Sequence, residues 1–232
     1  YSPGSTIKPI VALSALENGI IDTNFKVKCE GKMELHGQTF HCWKEKGHGY
    51  VSLKNAMKQS CDNYFYEVAR KLGVDRLKVT ADKFGLGNKV LGDYFENEKA
   101  GQFPDTKWKI NKLGKGWVLG ETLITGIGQG YTQTTPIQLC LMTAQIANGG
   151  YKITPKILTD DNQLTSEQVK KAMQDSKLNN SYKPLYGDQR NIKIIQEVMF
   201  SSTNELRGTS YKSRIEDPKY QFAGKTGTAQ VK

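Results

Sequence analysis

The sequence predicts a helix-rich chain of the α/β (α+β) class. Three observations lead there. Apolar residues recur at helical spacing in several runs, 5–18, 62–72, 75–84 and 191–204, most of them closed by a glycine. Residues 136–147 are apolar almost all round, the pattern of a helix buried at the centre of a fold. Extended segments are few: short hairpins are expected between Ile20 and Gly49, and one strand around Tyr220–Gln230, where Gly224 and Gly227 leave room for a close backbone approach.

Taken in order, Ser5 opens a helix whose inward stripe is Ile7, Ile10, Val11, Ser14 and Ala15 and whose stop is Gly19. Ile20–Gly49 carries turn signals together with Cys29, Cys42 and the histidines His36, His41 and His48, and reads as a surface excursion. Ser52 can cap a short helix with Leu53, Ala56 and Met57 inward, breaking near Ser60. A second helix from Asp62 to Leu72 follows, so Ser60 falls at a joint between helices, where a hydroxyl can point into a cleft. A further helix over Asp75–Phe84 ends at Gly85, and Gly87–Gly120 reads as irregular and basic, with Trp108 and Trp117 as local packing anchors. Gly126-Ile127-Gly128-Gln129-Gly130 lacks the spacing of a phosphate loop. Thr135-Pro136 starts the strong helix to Asn148, with Cys140 read as a small core residue. Gly150–Leu158 is expected as a short extended pair, Thr165–Met173 as a brief capped helix, 175–187 as loose, and 191–204 as the last helix.

The 232 residues, 37% of them apolar, suffice for one large domain, and no repeat or boundary divides them. Nothing in the sequence reads as a membrane-spanning run or an export leader. The net charge of +10 favours anionic partners, but the lysines are scattered and not gathered with aromatics. A solvated surface is therefore the reading, not a nucleic-acid interface; attraction to an anionic membrane surface is a weaker alternative.

Chemistry enters at Ser5-Thr6-Ile7-Lys8. A hydroxyl and an amine three positions apart share a helix face, at an N-terminus whose free N–H groups and dipole suit a developing oxyanion. Lys8 in a partly apolar setting could serve as the base for Ser5. Alone, such a pair reads as an N-cap followed by an exposed lysine. It is not alone: Lys225-Thr226-Gly227-Thr228 near the other end and Ser60-Cys61-Asp62 between them complete the three boxes of the serine penicillin-recognising enzymes, in the right order.

With these boxes, Asn63-Tyr64-Phe65-Tyr66, Gly120-Glu121-Thr122, Gly126–Tyr131 and Thr134–Gln138, the sequence resembles, over essentially its whole length, the transpeptidase domain of class B penicillin-binding proteins, the type serving cell elongation most closely. One departure from the broad family is Asp62, where many members have Asn, though the elongation type commonly has Asp there. The resemblance implies the penicillin-binding and serine β-lactamase fold, here a helix-rich portion with most of the antiparallel sheet beyond the ends, along with a preceding membrane anchor and non-catalytic module. It implies a bacterial inner-membrane enzyme, active on the periplasmic face, that cross-links peptidoglycan stem peptides, is acylated by β-lactams and works with a glycosyltransferase of the elongation machinery. By the same resemblance Ser5 is the nucleophile, Lys8 its base, and Ser60 with Lys225 the relay to the leaving amine. The N–H groups of Ser5 and Thr228 would form the oxyanion hole, Thr226, Gly227 and Thr228 would hold the substrate carboxylate, and Asp62 or Asn63 would meet the peptide amide. A β-lactam sensor domain, or a carboxypeptidase or β-lactamase of the same fold, are the alternatives.

Cysteine arithmetic adds a metal. Cys29-x12-Cys42-x5-His48-x12-Cys61 offers three thiols and an imidazole, a donor set for a closed structural Zn²⁺ site within an excursion spanning 29–61. A disulfide or unrelated free thiols compete with it. The resemblance implies zinc, since some elongation-type relatives hold one near the active site; His41 and His36 are reserve ligands, and no cofactor is needed for the chemistry.

Overall fold

In the computed structural model, residues 1–92, 95–155, 167 and 183–229 are described. The helix that opens the chain begins as a 3-10 turn over Gly4–Ile7 and continues as α1, Lys8–Glu17, with Pro9 in its first turn where its missing N–H costs nothing. Every residue of α1 from Lys8 to Ala15 is buried. It packs against α3 (Asp62–Leu72), α4 (Val74–Lys83) and the long α8 (Gln189–Asn204). Ile7, Ile10, Leu13, Phe65, Val68, Leu77, Ile192 and Ile195 meet in one core.

The excursion is two separate antiparallel pairs. β1 (Lys26–Cys29) lies on β4 (Gly49–Ser52), with Cys29 opposite Gly49. β2 (Lys32–Leu35) and β3 (Gln38–His41) form a hairpin closed by His36-Gly37, both at positive φ (49° and 77°), the backbone a two-residue hairpin turn demands. β4 runs into α2 (Leu53–Lys58), which packs on α8.

Several expectations need correction. Residues 221–229 carry no strand, and 218–220 form a 3-10 turn. A strand exists only through its ladder, and among the described residues none pairs with this segment. The stretch expected to be irregular contains α5 (Thr106–Leu113), followed by α6 (Leu119–Thr125). Asp105 caps α5, accepting from Trp108 N–H at 2.6 Å, and Gly114 closes it at φ 63°. The apolar helix α7 (Pro136–Ala147) is not the central one. It buries Gln138, Leu141, Met142, Gln145 and Ile146 on one side and leaves Cys140 exposed. Its two buried glutamines explain the orientation: Gln138 donates to the carbonyls of Asn88 and Ala100, and Gln145 to that of Phe84, so they dock α7 over a loop that helical ladders cannot satisfy. The pair expected over 150–158 reduces to a bridge between Tyr151 and Pro184. The helix expected over 165–173, Glu167 apart, and residues 156–158 lie outside the described residues.

Candidate active site

Three stretches distant in sequence meet around Ser60. Lys8, fully buried on the first turn of α1, donates to the Ser60 hydroxyl at 3.1 Å, the Ser60 carbonyl at 3.0 Å and Asp62 Oδ1 at 2.8 Å. Three acceptors match the three protons of an ammonium. The Phe65 ring lies 5.3 Å from the same nitrogen. From the other side Lys225 donates to Ser60 Oγ at 2.8 Å, so one hydroxyl stands between two amines. Burial and the neighbouring Lys8 charge push the Lys225 amine down to about 7.

Ser60 reaches this position through strained backbone. Its φ is 54°, left-handed and uncommon for a residue with a side chain, at a cost on the order of 1 kcal/mol or more. It lies two residues past the end of α2, and Asp62, two residues further on, begins α3.

Ser5 sits in the 3-10 turn one helical turn before Lys8, partly buried. No hydrogen bond joins its hydroxyl to Lys8 among the described residues, so Lys8 is committed to Ser60 and Asp62. The seat of Ser5 is main chain. Gly4 N–H donates to Gly128 O at 2.9 Å, and both glycines have positive φ. A Cβ on Gly4 would stand 2.3 Å from the Thr228 carbonyl oxygen, and one on Gly128 2.2 Å from that of Gly4. The Gly126–Gly130 run thus serves as a close-packed loop beneath Ser5.

In the third box, Lys225 also donates to the Thr226 carbonyl at 2.8 Å, and Thr226 Oγ1 donates to Thr209 Oγ1 at 2.8 Å. Gly227 lies against Thr6, where a Cβ would come within 2.6 Å of its methyl. Thr228 is exposed beside Gly4, its carbonyl reached by Gln129 at 3.5 Å. Asp62 and Asn63, expected to meet the peptide amide, have other partners. A carboxylate beside a buried ammonium is drawn to it, and the second Asp62 oxygen accepts from Trp43 N–H at 3.0 Å. Asn63 donates to the Lys32 carbonyl at 2.7 Å, tying β2 to α3.

The predicted donor set also comes together. The ligand atoms of Cys29, Cys42, His48 and Cys61 all lie within 4.8 Å of one another. His48 Nδ1 is 3.5 Å from Cys29 Sγ and 3.6 Å from Cys42 Sγ. A tetrahedral ion with metal–sulfur bonds of about 2.3 Å and metal–nitrogen bonds of about 2.1 Å sets such edges at about 3.6 Å, so the donors fit zinc. All four cysteines are free thiols, and His36 and His41 stand outside the cluster. Hydrogen bonds from Cys61 and His48 hold the Cys42 thiol well below its usual range, while the bond to Cys42, together with burial, pushes Cys61 up. Local folding explains the convergence: His48 N–H bonds to Cys29 O, Cys42 N–H to Gly31 O and Cys61 N–H to Ala56 O.

Sequence reasoning missed Trp43 and Thr209. Trp43 directly follows a predicted ligand, which was the available signal; Thr209 offered none.

Known proteins resemble the chain in sequence and in fold. The chain is 36% identical over its full length to peptidoglycan D,D-transpeptidase MrdA of Acinetobacter baumannii and spans 33% of that protein. The crystal structure of Pseudomonas aeruginosa PBP2 in complex with WCK 5153 is 36% identical, superposes with a TM-score of 0.82, and is matched over 50% of its length by the whole of this chain. PBP2 from Helicobacter pylori, in its complex with MreC, is 33% identical with a TM-score of 0.82, all of this chain covering 40% of it. The chain thus spans about a third of the curated relative and half or less of these solved chains. Residues 1–232 match throughout the family described as penicillin binding protein transpeptidase domain, and the chain belongs to that family.

Proposed function

We propose that residues 1–232 are one partial transpeptidase domain of an elongation-type peptidoglycan D,D-transpeptidase, acting through a Ser5 acyl-enzyme and acylated by β-lactams. The observation that carries this reading is the Ser60 hydroxyl held by Lys8 at 3.1 Å and Lys225 at 2.8 Å, across 52 and 165 residues of sequence.

The bonding suggests how an ammonium becomes a base. With Lys225 neutral in about half the molecules near pH 7, Lys8 passes a proton to Ser60 Oγ while Ser60 passes its own to Lys225. Lys8 is then a neutral amine one turn from Ser5 and takes the Ser5 proton. Ser5 Oγ attacks the carbonyl carbon of the penultimate D-Ala, and the bond to the terminal D-Ala nitrogen breaks. Lys225 returns its proton through Ser60 to that departing nitrogen, which restores both lysines. An amine of a neighbouring stem peptide then resolves the acyl-enzyme. The N–H groups of Ser5 and Thr228 are assigned the oxyanion, and Thr226, Gly227 and Thr228 the substrate carboxylate. Asp62 positions Lys8.

Cys29, Cys42, His48 and Cys61 are proposed to hold one structural Zn²⁺, which supplies cohesion to the excursion at 29–61 and no step of the reaction. The protein is proposed to act on the periplasmic face of the inner membrane, through an anchor beyond these residues; no described helix is itself long and apolar enough to cross a membrane. Its proposed partners are a glycosyltransferase and, by analogy with the Helicobacter complex, an MreC-like protein.

The test is product formation from a stem-peptide donor by the full-length protein, with and without an acceptor amine. Cross-linked product that requires the acceptor is expected. Release of D-Ala to water alone would make the protein a carboxypeptidase, and stable acylation without turnover a sensor.

A further inference from the structure

Trp43 is placed oddly for a tryptophan. The residue is 60% exposed, so burial does not account for it, yet every polar hydrogen it carries is used. The backbone N–H donates to Asp62 Oδ2 at 3.0 Å. The indole N–H is shared between the carbonyls of Gln59 at 3.0 Å and Ser60 at 3.1 Å. These are carbonyls at the end of α2, where a helix has no partners of its own to offer. The ring edge also meets His48, with centroids 5.4 Å apart, and Trp43 is bonded in sequence to Cys42.

We propose that Trp43 is a positioning residue for acylation, holding Ser60 in its left-handed backbone and the Asp62 carboxylate against Lys8. It does so from the excursion, outside the three boxes. The Ser60 carbonyl receives Lys8 and Trp43 from two directions, which fixes the plane of the peptide at the point where φ is 54°. Freeing that peptide lets the backbone relax toward ordinary φ and swings Oγ out from between the two amines. Metal ligation at Cys61 anchors the following residue, but Trp43 grips the Ser60 carbonyl itself. The ring's contact with His48 makes the grip depend on the seating of the cluster.

The inference rests on the reading of Ser5 as nucleophile, and its test separates the two. In the full-length protein, Trp43 is replaced by Phe and by benzothienylalanine, which keeps the shape of tryptophan and lacks its N–H. Acylation by a fluorescent penicillin is resolved into affinity and the rate constant at saturation, alongside melting temperature and zinc content. Both variants are expected to acylate about five- to tenfold more slowly at saturation, the weight of one hydrogen bond, with affinity, melting temperature and zinc unchanged. A benzothienylalanine variant that acylates at the wild-type rate overturns the role of Trp43 while the functional reading stands. Slower acylation tracking an equal fall in melting temperature also overturns it, since a merely structural contact would give that pattern. A wild-type protein that takes no label overturns the functional reading, and this one with it.

Discussion

Ser60 is held differently on its two sides. On one side it meets buried groups with several partners each: Lys8 of α1 with three acceptors, Asp62 of α3 with two donors, and Cys61 within the donor cluster. Toward the third box it meets a segment, 221–229, that has no ladder among the described residues and is tied down by single bonds: Gly224 N–H to Met199 O, Asn204 to Phe222 O, Thr226 to Thr209, Gln129 to Thr228 O and Lys225 to Ser60. The difference teaches that Ser60 is fixed from α1, from α3 and, through Trp43, from the excursion, while the Lys225 side supplies an amine lowered to about 7.

The largest effect tests whether the two sides serve the same nucleophile. Ser5→Ala is expected to abolish covalent labelling by a fluorescent penicillin in the full-length protein, and Lys8→Ala to slow it by about 10²–10⁴. Normal labelling of either variant, read on a denaturing gel, would end the assignment.

Next, the fixed side can be loosened. Elemental analysis of purified protein is expected to give one zinc per chain, and Cys42→Ser or His48→Ala to lose it. Melting temperature should fall, and acylation should slow by at least the 10- to 100-fold that loss of a mere supporting partner costs a metal site. Metal-free protein with a Cys29–Cys42 disulfide and full acylation would refute the proposal.

The Lys225 side is sharpened by pH. Lys225 is neutral above about 7 and charged below it, and the relay needs it neutral, so the acylation rate should rise through that pH and level off one to two units above. Lys225→Arg, charged throughout, should flatten the profile between about pH 6 and 9 and lower its plateau. A wild-type rate that falls with pH across the same range would reverse the assigned direction of proton transfer.

The smallest effect is at Thr209. Thr209→Val removes the partner of Thr226 Oγ1 and should weaken substrate or β-lactam affinity about fivefold, with little change in the rate at saturation. An equal loss in both would place Thr209 with the fixed side.

The same contrast separates what the sequence disclosed from what it withheld. α1, α3, α4 and α8 were legible because each combines a 3.6-residue apolar stripe with a stop or a cap, and the donor set because thiols and imidazole are few and chemically distinctive. Apolar content misled at α7, whose burial is decided by Gln138 and Gln145 seeking carbonyls from another loop. Asp105 and Gly114 framed α5 in plain view, but the lysines between them blurred its period. The partners of Asp62 could not be read at all, because a carboxylate's choice between substrate and Lys8 depends on distances that only the folded chain sets. The extended segment at 221–229 has strand-like residues and no pairing partner among the described residues, and a strand's neighbour is never written in its own sequence.

Because the seat of Ser5 is main chain at Gly4, Gly128 and Thr228, its contour does not depend on which side chains surround it. No side-chain replacement at either glycine leaves that seat as it is, since one added methyl group at Gly4 or Gly128 would drive its carbon into a backbone carbonyl. Heritable change is thereby steered away from Gly4 and Gly128, which are left among the positions of this domain least free to drift.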